Sequence, residues 1–301
     1  MRRVCLLLPV IAFSLAAQGC APLVSVGVHA LSRHAALPES LITRDIAYVA
    51  DGANNPAHRL DLYRAKAPGG PVLVFVHGGG WDSGDKQLRV GGVDVYANIG
   101  RFYAAHGITT AVINYRLQPA TDWRGQVDDV RAAAHWMSAH ASEWGSASPA
   151  LFLMGHSAGG HLIAEVALDP SARPVIALRG AISVSGAALD LTDARTYELG
   201  EDVRYYAKRF RGADSTQAWR AAASPAALVT GAAPPFLVLC AAGESKGLQR
   251  QAQVFADVLA HAGVPVQRVV VPGESHSRMV LVLARADKAA VPAILRFLRE
   301  H

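Results

Sequence analysis

With 301 residues, 51% of them hydrophobic and 18% charged, the chain can bury a large core and is too apolar to be disordered. The net charge of +5 raises the question of nucleic acid, but the arginines are scattered and form no stripe interleaved with aromatics, which argues against it. The length suits one large α/β domain or two small ones.

The first residues, MRRVCLLLPVIAFSLAAQGCAP, place Arg2 and Arg3 before an apolar run from Val4 to Ala17, followed by Gly19-Cys20. A basic start, a short apolar core and small residues before a cut make an export signal. That core is too short for a resident spanning helix. Ala17-Gln18-Gly19-Cys20 resembles a bacterial lipoprotein cleavage box, in which the cysteine takes the lipid. The expectation is a signal over 1–19, lipid attachment at Cys20, a linker over 20–43 and an address in the cell envelope. Membrane attachment would then run through Cys20, and ordinary cleavage into the periplasm or medium is the alternative. Cys5 leaves with the signal and Cys240 sits in the apolar run PPFLVLCAA, so no internal cysteine pair remains. No HExxH or paired-cysteine pattern suggests a metal.

Past the linker, apolar runs alternate with helix-like segments. RDIAYVA (44–50) and RLDLYRA (59–65) alternate as half-exposed strands joined by a turn over 51–56. PVLVFVHGGGW (71–81) is a continuous apolar run, as a strand covered on both faces should be. Residues 93–106 read as a helix and ITTAVINYRL (108–117) as a β-branched strand. Helical spacing then runs over 127–144, with Asp128 and Asp129 near its start. ALFLMG (150–155) is a strand and 161–168 a helix. Later strands span 177–186, 234–242 and 264–272, with helices over 249–262 and 291–300. This rhythm predicts an α/β domain over 44–301, with a mostly parallel eight-stranded sheet and helices on both faces. The polar, aromatic segment 190–224, with Tyr197, Tyr205, Tyr206 and Trp219, breaks it. That segment is either a small cap over the site or a set of surface helices.

The stretch LFLMGHSAGGHLI (151–163) carries the chemistry. A phosphate loop would need Lys and Ser/Thr where His161 and Leu162 stand. The glycines at 78–80 lack a G-x-G-x-x-G continuation because Ser83 takes the last position, so a dinucleotide site is not expected. Gly155-His156-Ser157-Ala158-Gly159 is instead G-x-S-x-G between a strand and a helix, which presents Ser157 as a nucleophile above the sheet. Consecutive glycines at 78–80 follow another strand and expose backbone N–H groups, so Gly79, Gly80 and Ala158 are the expected oxyanion donors. Of the 12 histidines, His276 lies just after the last strand, at the sheet edge that carries Ser157, and is the expected base. His77 and His156 belong to the two turns and would orient them. Glu244 is the carboxylate between the strand ending near 242 and the next helix, and is the expected acid. The order Ser157, Glu244, His276 suits a strand-end triad. Trp81 would wall the substrate pocket.

HGGGW, INYRL, GHSAGGHL, PPFLVL with its following acid, and PGESH together resemble the α/β-hydrolase superfamily. The branch they are most similar to is the hormone-sensitive-lipase-type carboxylesterases and related bacterial acyl esterases. The resemblance spans residues 44–300. It implies a serine hydrolase that cleaves carboxylic esters of short to medium acyl chains without a cofactor or metal. It also implies that the second and third glycines of HGGG, Gly79 and Gly80, serve the oxyanion hole. Two features depart from the pattern: the acid is more often Asp, and Ser245-Lys246-Gly247 replaces the usual proline-containing sequence. Trp81 followed by Gly84-Asp85-Lys86 also resembles arylformamidases, which makes amide hydrolysis on the same triad an alternative. A hydrolase-fold binding module without turnover, or an envelope anchoring protein, would be readings of a different class.

Overall fold

A computed structural model describes residues 37–144, 150–171, 176 and 178–301. The signal, Cys20 and the linker up to residue 36 lie outside the described residues. Among them, eight strands form one sheet: β1 (Ile42–Ala47), β2 (Arg59–Tyr63), β3 (Val72–Val76), β4 (Thr109–Ile113), β5 (Leu151–His156), β6 (Leu178–Val184), β7 (Phe236–Ala241) and β8 (Val266–Val271). Their spatial order is β1-β2-β4-β3-β5-β6-β7-β8. β2 runs antiparallel to β1 and β4, and every other pairing is parallel. The first strand starts slightly before the expected residue 44, at Ile42, and Leu37 ahead of it is buried.

The helices follow from the strands' need for cover on both faces. Along β3, Val72, Val74 and Val76 face a cluster built from α2 (Trp123–Ala139), α3 (Ala158–Leu168) and α7 (Lys246–His261). Leu73 and Phe75 point the other way, to α1 (Val95–Ala105) and α9 (Ala290–Glu300). A parallel strand buried on both faces must be apolar at every position, which is why VLVFV does not alternate. Helix α3 is buried along its whole length, so it is apolar nearly all round.

The expected helix over 127–144 differs at both ends. Helix α2 begins at Trp123, where Asp122 caps it by accepting from the Gly125 N–H at 3.0 Å. It ends at Ala139, and a separate 3-10 turn spans Ala141–Trp144. Asp129 is not a first-turn residue: it accepts from Arg116 at 2.7 Å and meets His58 at 3.2 Å. Segment 190–224 forms three short helices: α4 (Ala194–Glu198), α5 (Val203–Phe210) and α6 (Ala218–Ala222). Tyr206, Phe210 and Trp219 from them join the cluster of α2 and α3. A fourth short helix, α8 (Met279–Val282), follows the loop after β8.

Candidate active site

Four loops meet at the C-terminal edge of the sheet, after β3, β5, β7 and β8, where open α/β sheets build their sites. Ser157 stands between β5 and α3 at φ 54° and ψ −117°, a backbone conformation that costs energy for a residue with a Cβ. The surroundings hold it there. Its N–H donates to the Val184 carbonyl at 3.0 Å, and its own carbonyl accepts from the His161 and Ala187 N–H groups at 3.3 Å each. The turn is also too tight for side chains around it. A Cβ on Gly155 would stand 2.2 Å from the Gly159 carbonyl oxygen, and one on Gly159 2.3 Å from that of Val76. The glycines of G-x-S-x-G are therefore demanded by backbone contact.

His276, on the loop after β8, places Nε2 2.9 Å from Ser157 Oγ and Nδ1 3.1 Å from Glu244 Oε2. The Glu244 side chain is 1% exposed and that of His276 29% exposed, so one end of this chain of contacts is dry and the other open. The second Glu244 oxygen, Oε1, has no hydrogen-bond partner among the described residues, which leaves His276 as the group its charge can serve. The loop carrying His276 is itself held. The His156 Nε2–H donates to the His276 carbonyl at 3.0 Å. Gly243 N–H donates to the Glu274 carbonyl at 2.9 Å, and the buried Glu274 carboxylate pairs with Arg278 and Lys288 at 3.2 Å each. Burial, reinforced by nearby His276, pushes His156 down to about 3, so it is a neutral donor.

The loop after β3 turns through Gly79 at φ 128° and Gly80 at φ 61°, where only glycine is unstrained. The N–H groups of Gly79, Gly80 and Ala158 have no partner among the described residues. Two carbonyls of the loop are pinned from within it. His77 Nδ1–H donates to Gly78 O at 2.6 Å, and Gly79 O accepts from Ser83 Oγ at 2.6 Å and Ser83 N at 3.0 Å. Because a trans peptide points its C=O and N–H in opposite directions, each bond aims the next residue's N–H outward. His77 stacks on Tyr115 at 4.4 Å, and burial pushes it down to about 4, so it too acts as a neutral donor. Tyr115 of INYRL supports the same loop by donating to the His77 carbonyl at 3.0 Å.

Trp81 departs from the expectation of a pocket wall. It is 1% exposed, and its indole lies beneath the loop, packed on Phe210 at 4.8 Å with Nε1 3.3 Å from His161 Nδ1. Its positive φ of 68° turns the side chain inward, so it props the glycines from below. Gly84-Asp85-Lys86 is likewise structural. Asn114 donates to Asp85 at 3.0 Å, and buried Lys86 pairs with Asp61 at 2.7 Å and Asp45 at 2.9 Å. These residues therefore carry no information about amide substrates. Two contributors lacked a clear sequence signal: Ser83, whose only mark is a hydroxyl four residues after Gly79, and Arg209 of α5, whose Nε donates to Gly80 O at 2.7 Å.

Residues 60–259 match the BD-FAE family. The probable carboxylic ester hydrolase LipM of Mycobacterium tuberculosis (strain ATCC 25618 / H37Rv) is 30% identical over 280 residues, 86% of this chain and 62% of LipM. Esterase LipC of the same organism is 31% identical over 261 residues, 82% of this chain and 63% of LipC. The chain thus spans less than two thirds of the length of these relatives. Among solved structures, esterase B from Lactobacillus Rhamnosis superposes with a TM-score of 0.70 at 22% identity, covering 92% of this chain and 90% of that one. An esterase from Pyrobaculum calidifontis gives 0.68 at 20% identity, covering 92% and 88%. The fold is the α/β-hydrolase fold of these structures.

Proposed function

The chain belongs to the BD-FAE family, and from that membership and the site's geometry we propose that it is a serine hydrolase cleaving carboxylic esters. The observation that carries this reading is the continuous contact chain Ser157–His276–Glu244, at 2.9 and 3.1 Å, beside three free backbone N–H groups. The names of the relatives, esterases and ester hydrolases, support the same class.

His276 Nε2 takes the Ser157 proton as Oγ attacks the ester carbonyl. Glu244 holds Nδ1–H, which keeps Nε2 free to accept and stabilises the imidazolium that forms. The tetrahedral oxyanion is held by the N–H groups of Gly79, Gly80 and Ala158, each worth about 3 kcal/mol of barrier. The alcohol leaves with the proton from His276, and water then attacks the acyl-enzyme by the same route. Short to medium acyl chains fit this reading, because cap helix α5 closes over the loop: the Tyr205 hydroxyl lies 2.6 Å from where a Cβ on Gly80 would stand.

The test is hydrolysis of p-nitrophenyl acetate, butyrate, octanoate and palmitate, beside N-formylkynurenine. Short esters should turn over, and Ser157→Ala should lower kcat by roughly 10^6-fold. Undiminished turnover in that variant sinks the mechanism, and turnover of the formamide alone moves the assignment to an amidase. A folded protein that neither hydrolyses these esters nor reacts with a fluorophosphonate would be a binding module. From the signal pattern of residues 1–19 and the box ending in Cys20 we also propose that the enzyme is held in the cell envelope through a lipidated Cys20. Cys20→Ala should then move it from the membrane to the soluble fraction, and an unchanged distribution would refute lipid anchoring.

A further inference from the structure

The glycine run 78–80 presents three successive carbonyls, and each accepts from a side chain. His77 and Ser83, which hold the first two, belong to the loop itself. The third, Gly80 O, accepts from Arg209 Nε at 2.7 Å, and Arg209 comes from cap helix α5. The guanidinium is fixed on every side. Its other arm pairs with Asp82 at 2.8 Å, its Nη1 donates to the Tyr205 carbonyl at 3.2 Å, and its plane lies 3.7 Å over the Tyr205 ring. The Arg209 side chain is only 10% exposed. A polar ring closes behind it: Gln118 donates its side-chain Nε2–H to Arg209 O at 2.9 Å and its backbone N–H to Trp81 O at 2.9 Å.

We propose that Arg209 is a positioning residue for the oxyanion hole, so that docking of the cap completes the catalytic site. Gly79 and Gly80 have no side chains to anchor them, and their positive φ values leave the loop free to re-pucker. Trp81 holds the loop from below, and Arg209 holds it from above. Gly80 O lies in the peptide plane that follows Gly80, and the Ser83 bonds to Gly79 O hold the plane that precedes it, so with Arg209 in place both planes flanking Gly80 are fixed and its N–H stays aimed at the position of the oxyanion. An arginine suits this task because its rigid fork meets a carbonyl and a carboxylate together, which a lysine ammonium on a flexible stem does not. The inference rests on the reading of Gly79 and Gly80 as oxyanion donors.

Arg209→Ala and Arg209→Lys are compared with wild type by two readouts: the rate of fluorophosphonate labelling, which needs Ser157 and the oxyanion hole but no particular ester, and kcat and KM on p-nitrophenyl butyrate. Misaimed donors should slow labelling and kcat together, by about tenfold to 10^2-fold in Arg209→Ala, with KM within about twofold. Ethylguanidinium added to Arg209→Ala should restore part of the rate, and Arg209→Lys should fall between. A folded Arg209→Lys that labels at the wild-type rate overturns the proposal, and this variant decides the matter if Arg209→Ala does not fold. A loss confined to KM, or a folded Arg209→Ala that ethylguanidinium does not rescue, also overturns it. A wild type that labels but cleaves no ester overturns the ester reading alone, since labelling still reports on Arg209. A wild type that does not label overturns both.

Discussion

Glu244 stands where the resembled family more often has Asp, and its geometry says how it would work. Its carboxylate is buried, and one oxygen reaches His276 Nδ1 at 3.1 Å. Glu244→Gln keeps the shape but offers a neutral amide to the imidazole. The tautomer with Nε2 free loses its support, and kcat should fall about 10^4-fold with little change in folding. Asp257 is the other carboxylate nearby in sequence, but it lies on α7 and accepts from Gln253 at 2.7 Å. Asp257→Asn should leave kcat unaltered, and the reverse pattern of losses would move the acid away from Glu244. The contact of Glu244 with His276 was legible because position alone singles Glu244 out: a carboxylate directly after a buried strand. Trp81 was misread because its role is set by a backbone angle. An aromatic after a glycine run reads as a wall, and only its φ of 68° and its contact with His161 turn it into a prop.

At the scale of elements, the packing of α3 against β3 sets Ser157 in place. Gly159 is the contact point, since a Cβ there would press on the Val76 carbonyl at 2.3 Å and the His77 carbonyl at 2.6 Å. Neither is a flexible side-chain end, so the helix itself must shift. Gly159→Ala should therefore destabilise the fold by about 3 kcal/mol and slow catalysis, read as a lowered urea midpoint. An unchanged midpoint would mean that α3 can slide without cost. The strands and this turn were legible because their constraints are local: doubly covered strands must be apolar, and the sharp turn must carry glycine. The start of α2 was hidden because Asp122 precedes Trp-Arg-Gly, a weak helical opening, while Asp128 and Asp129 mimic a first turn. The docking of α5 was hidden for another reason. Its decisive contact joins residues 80 and 209, and no spacing in the sequence encodes that distance.

For the whole molecule, the buried ionisable groups around the site set how stability responds to pH. Burial pushes His77 down to about 4 and His156 and His161 down to about 3, from an ordinary 6.5. Burial also pushes Glu165 up to about 8 from 4.5. His161 Nε2 and Glu165 Oε1 stand 3.6 Å apart within α3, both uncharged at neutral pH. Between about pH 4.5 and 6.5 the unfolded chain binds three histidine protons that the folded one refuses, while the folded chain keeps one on Glu165. The unfolded state then holds about two more protons, so stability climbs as pH rises through this range. Above 6.5 the histidines are neutral in both states. Glu165 alone remains, protonated when folded and ionised when unfolded, and stability declines as pH approaches 8. Urea midpoints measured from pH 4 to 9 should therefore peak near 6.5, with the acid limb steeper than the alkaline one. Glu165→Gln, which removes the group that ionises on unfolding, should flatten the alkaline limb and steepen the acid limb, where the proton difference rises from about two to about three. A plateau from pH 6.5 to 8 in the wild type would show that Glu165 is ionised in the fold beside a neutral His161.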